Sequence, residues 1–75
     1  MIDSMNPIQN KIYQHLSSHP YTIYFSNELM DALHQPYSLL QQTLLKMAEN
    51  NIVDYEDVST ENKNDFMVKF ILPKT

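Results

Sequence analysis

An α+β fold, three helices packed on a small antiparallel β-sheet that ends in a C-terminal β-hairpin, is predicted by three observations. Before Asn51, apolar residues recur every three or four positions in three separate segments, the period of a helix with one buried face. Capping residues and prolines punctuate those segments at Asn6-Pro7, Pro20 and Pro36. Beyond Asn51 the apolar period shortens toward two in a pair of segments divided by a polar run, the pattern of two strands and a turn.

In the first helix Asn6 is the cap, and Pro7 takes the first position, where a missing amide proton and a fixed φ cost nothing. Ile8, Ile12 and Leu16 share a face, and Met5 is placed to fold back as a staple. The helix therefore runs from Pro7 to about Ser18 and is stopped by Pro20. Tyr21-Thr22-Ile23-Tyr24-Phe25 is aromatic and β-branched and too short for a helix, so it reads as one strand with Ile23 and Phe25 on the same face.

Ser26 is placed to cap a short second helix in which Glu28 suits the positive end of the dipole and Leu29 and Leu33 form a core pair. Pro36 breaks it by disfavouring helical geometry at Gln35, while itself fitting the start of a third helix that runs to about Asn50. Leu40, Leu44 and Met47 point inward there, and Asn50-Asn51 stands where a left-handed cap is expected. Ile52 to Val58 and Phe66 to Leu72 read as strands about a polar tip, Ser59 to Asp65. Phe66, Val68, Phe70 and Leu72 fall on one face of the last strand, with Met67, Lys69 and Ile71 on the other. With no glycine in the chain, Asn62 or Asn64 is the expected site of positive φ at the tip.

Size and composition bound the rest. The 75 residues are expected to form one domain over 1–75, with 1–5 and 73–75 as flexible ends. A chain this short buries only about 60% of its unfolded surface. It has no cysteine, so aliphatic and aromatic packing must carry the fold, and a reducing compartment is favoured. The N-terminus lacks the basic start and apolar run of a signal peptide, and the longest apolar stretches fall far short of a membrane span. A cytoplasmic location is the expectation. The net charge is -4, all five basic residues are lysines, and arginine, the residue best suited to bidentate contact with guanine and phosphate, is missing.

Catalysis and cofactor binding find little support. There is no cysteine nucleophile, no glycine-rich phosphate loop and no recognisable Ser/His/Asp grouping, so no enzymatic activity and no catalytic residue are expected. His15 and His19 lie four apart at a helix end, without a third ligand nearby, and read as surface histidines. Alternation splits Asp54 and Glu56 from Asp57, which reads as a charged strand edge and not a cation site. No metal, cofactor or small-molecule ligand is expected.

From Leu40 the chain reads Leu-Gln-Gln-Thr-Leu-Leu-Lys-Met-Ala-Glu-Asn-Asn-Ile-Val, which resembles the recognition helix and wing entry of the winged helix-turn-helix DNA-binding superfamily, as in small stand-alone bacterial, phage or archaeal regulators. Ser26-Asn27-Glu28-Leu29 through Leu33 looks like that family's second helix, and the resemblance spans Ile8 to Leu72. It rests on a pattern of apolar positions and specifies fold better than function. The resemblance implies that the third helix enters the major groove of double-stranded DNA while the hairpin, as a wing, reaches the backbone or the minor groove. The matching outward positions are Tyr37, Ser38, Gln41, Gln42, Leu45 and Lys46, where glutamine can pair with adenine and lysine can hold a phosphate. The wing contributes Asn62, Lys63 and Asn64, flanked by Glu61 and Asp65, which repel phosphate.

The implied function is transcriptional regulation, with a homodimer supplying the affinity that so few cations cannot. Gln41 and Gln42 read equally well as solvated helix formers. A patch of Tyr37, Leu39 and Leu45 favours the alternative, an acidic module of the same fold that binds a protein partner instead of DNA.

Overall fold

Residues 6–72, described by a computed structural model, run in the order α1 (Pro7–Ser18), β1 (Ile23–Phe25), α2 (Ser26–Leu33), α3 (Tyr37–Glu49), β2 (Val53–Asp57) and β3 (Phe66–Phe70). The expectations for 1–5, the Met5 staple among them, and for 73–75 fall outside the described residues. No described helix is long and apolar enough to cross a membrane.

Local chemistry accounts for each boundary. At α1 the Asn6 side chain accepts the Gln9 amide at 2.9 Å, and the Gln9 side chain returns the bond to the Asn6 amide at 3.1 Å, a complete capping box. The helix exits at His19, whose amide donates to Leu16, and the Thr22 amide then donates back to His19. That turn occupies Pro20 and Tyr21, so β1 is shorter than the predicted strand and begins at Ile23. Ser26 is not the cap of α2. Phe25 takes that position in extended geometry, its amide donating to the Glu28 carboxylate at 2.8 Å, while Ser26 is the first helical residue and is buried.

The turn between α2 and α3 places His34 at φ 55, in the left-handed region. α3 leaves through Asn51 at φ 60, the Asn51 amide donating to Ala48 and the Ile52 amide to Met47, which is a Schellman closure built on asparagine. Positive φ thus occurs at His34 and Asn51, and the expectation for Asn62 or Asn64 is overturned. The hairpin tip closes instead through paired bonds between Thr60 and Lys63, with Ser59 bonded through its hydroxyl to the Asp65 backbone.

The sheet order is β1-β3-β2, antiparallel throughout. The last strand is therefore central, and β1 and β2 are edges. Register pairs Tyr24 with Val68 and Val68 with Tyr55 on the inner face. On the outer face Ile23, Lys69 and Asp54 form one row and Phe25, Met67 and Glu56 the next. The inner face meets all three helices around Ile12, Leu16, Leu29, Leu40, Leu44, Met47, Val53, Phe66, Val68 and Phe70. Leu72, predicted to continue that buried row, is exposed beyond the end of β3.

Candidate nucleic-acid interface

The short turn His34–Pro36 delivers the chain directly from α2 into α3, which packs on α1, α2 and β2. Leu40, Thr43, Leu44 and Met47 are its buried residues, and Thr43 satisfies its hydroxyl by donating to Leu39 at 2.7 Å. At about 100° per residue the opposite side of the helix carries Ser38, Gln42, Leu45 and Glu49, with Gln41 and Lys46 flanking them. Ser38, Gln42, Leu45, Lys46 and Glu49 are exposed, and Gln41 is half-buried.

Tyr37 does not join this outward row as a free side chain. Its ring packs at a tilt against Phe66, centroids 5.3 Å apart, and Phe66 also meets the ring of Tyr55 at 5.2 Å; the hydroxyls of both tyrosines are buried without a hydrogen-bond partner. Burial raises the Tyr55 phenol above its ordinary pKa, opposed by the Gln41 side chain, with Tyr37 and Asp57 adding to the rise. Tyr37 therefore belongs to the seam between α3 and the sheet. Leu39 is half-buried too, so the apolar patch envisaged over Tyr37, Leu39 and Leu45 reduces to Leu45, which is 43% exposed.

The hairpin tip presents Asn62, Lys63 and Asn64 to solvent beside Glu61. Asp65 behaves otherwise. Its carboxylate accepts from the Ser26 hydroxyl, from the Ser26 amide at 3.3 Å and from the Phe66 amide at 2.9 Å. The Ser26 hydroxyl is the chief reason its pKa lies below the ordinary range, against the opposing effect of burial. The carboxylate sits on the amide end of α2, where the helix dipole favours negative charge, so this acid is spent on the fold and not displayed on the tip. Asp57, at the end of β2, is likewise lowered, first by the Ser59 hydroxyl and then by its amide.

Sequence reasoning passed over the place of Glu49 and the contact between Ser26 and Asp65. Glu49 follows Leu45 by four positions and so stands on the outward row, a placement that helical periodicity alone reveals. Ser26 and Asp65 are 39 positions apart, and no local signal joins them. Among the described residues no group of three or more His, Asp or Glu stands close enough to hold a metal. Compared with known proteins, the chain matches no family model, no curated protein and no solved structure.

Proposed function

We propose that this chain is a winged helix-turn-helix domain that binds double-stranded DNA through α3 and serves as a small cytoplasmic transcriptional regulator. The observation that carries the reading is the outward side of α3, where Ser38, Gln42 and Lys46 are exposed on the second helix of a tightly turned pair. Gln42 supplies an amide able to pair with adenine, and Lys46 a cation for phosphate. The packing of α3 on β2 of the β2–β3 hairpin supports the same reading, since a wing lies beside the recognition helix. Lys63 at the tip is then the wing's backbone contact, with Asn62 and Asn64 as neutral neighbours.

Selection of bound sequences from a random duplex pool at low salt tests this. Enrichment of a defined site is expected, and Gln42→Ala should relax base preference at one position by about 1–3 kcal/mol. Lys46→Ala should weaken all sequences alike. No enrichment, or indifference to both substitutions, overturns the proposal.

A second reading, a protein-binding module of the same fold, is favoured by the net charge of -4 and by Glu49 on the outward row. Under it Leu45→Asp abolishes capture of a protein partner from nuclease-treated lysate, whereas under the DNA reading no captured protein depends on Leu45.

A further inference from the structure

The sheet has a second face, turned away from the helices, that the α3 reading does not use. Of the large apolar side chains left exposed among the described residues, most lie at this side of the molecule: Ile23 is 50% exposed, Phe25 41% and Tyr21 83%, with Ile71 and Leu72 beyond the end of β3. Register sets them in order. Ile23 and Phe25 stand on β1 at one margin, Met67 and Lys69 in the middle on β3, and Asp54 and Glu56 on β2 at the other margin. The face therefore grades across some three strands from apolar to acidic, with Lys69 between.

Two shallow hollows open on it. One, of about 170 Å³, is lined by Ile23, Asp54, Glu56, Met67, Val68 and Lys69. The other, of about 260 Å³, lies toward Tyr21 and Ile71 and shares Asp54 and Lys69 with the first. Each hollow thus combines an apolar wall with a carboxylate.

We infer that this outer sheet face docks an amphipathic segment of a basic partner protein, its apolar side chains over Ile23, Phe25 and Met67 and its lysines or arginines over Asp54 and Glu56. Charge complementarity selects the occupant. A phosphate-bearing surface, whether nucleic acid or anionic lipid, meets two carboxylates here. A second copy of the chain brings the same carboxylates and a further net charge of -4. A cationic amphipathic segment covers the apolar margin and pairs the acidic one at once, with electrostatic steering to hasten encounter. This surface is separate from α3, so the inference stands or falls independently of DNA binding.

The test is a titration of isotope-labelled protein with two synthetic peptides that share the same leucines and differ only in carrying lysine or glutamate between them. The lysine peptide is expected to shift the signals of Ile23, Phe25, Asp54, Glu56 and Met67 while those of Gln42 and Lys46 stay in place. The glutamate peptide should bind on the order of tenfold more weakly or worse. The double variant Asp54→Lys with Glu56→Lys, its fold checked by its spectrum, should lose a similar factor for the lysine peptide. Absence of binding, equal affinity for the two peptides, or shifts centred on α3 overturns the inference. So does sedimentation of the free protein as a dimer with these same signals displaced, which would make a second copy the occupant.

Discussion

Asp65 holds the start of β3 against the start of α2, satisfying the hydroxyl and amide of a buried serine and the first amide of its own strand. Hydrogen bonds to a charged acceptor are worth more than neutral ones, so Asp65→Ala should cost on the order of 1–3 kcal/mol in denaturant unfolding, a large share for so small a domain. Its lowered folded-state pKa fixes the pH dependence. The contribution is complete above the ordinary aspartate value of about 4 and is lost as pH falls through the lower folded value. Midpoint temperatures recorded between neutral pH and pH 2 should fall less steeply in Asp65→Asn than in the parent. Nothing near Ser26 in the sequence announces this contact, which is why the serine reads as a cap. A cap needs only its neighbours, whereas this bond needs a residue from the far end of the chain. Tyr37 reads as outward on the resemblance alone, although it stands three positions before Leu40 and seven before Leu44, so that helical phase already turns it toward the core, where its ring meets Phe66.

At the scale of elements, the extents of α1 and α3 were legible because their punctuating residues and apolar periods are local properties. The outward row of α3 followed from the same period, and Ser38, Gln42, Leu45 and Lys46 are exposed as expected. The strands were legible in kind but long by one to two residues at their ends, since pairing with β3 decides where each stops. The connections were the hard part. In a chain without glycine, left-handed backbone falls to His34 between α2 and α3 and to Asn51 after α3. A non-glycine residue there costs roughly 1–2 kcal/mol, less for asparagine. His34→Gly should therefore raise stability by up to about 1 kcal/mol, the gain reduced by the greater freedom of an unfolded glycine. Asn51→Ala should lower it by about 1 kcal/mol by straining the Schellman closure. Paired thermal melts of the two variants check both signs.

For the whole molecule, charge governs how the proposed function would behave in solution. Among the described lysines, Lys46 on α3 and Lys63 at the hairpin tip are the ones placed to meet phosphate in the DNA reading, against an overall charge of -4. Two phosphate contacts per copy predict a logarithmic salt slope of about -2 for a single domain, and about twice that for a dimer across two half-sites. Fluorescence titrations over a range of salt measure the slope, and a value much steeper than the dimer's would mean that cations outside α3 and the tip carry the contact. Composition alone made this weakness visible, while the grading of the outer sheet face did not emerge until register set β1, β3 and β2 side by side.

The sheet order has a consequence for how the chain comes to be folded in the cell. β3 is both the central strand and, in chain order, the third of the described strands, and β1 and β2 pair with it and not with each other. During synthesis the helices can gather as they emerge, but both edge strands wait without a ladder until Phe66–Phe70 has left the ribosome. Until then Ile23, Tyr24 and Phe25 form a short apolar strand with open backbone groups on both sides, the kind of segment that nascent chains expose to chaperones or to one another. Closing the sheet thus waits on β3, and a chain truncated before Phe66 keeps the residues of all three helices but has no strand for β1 or β2 to pair with.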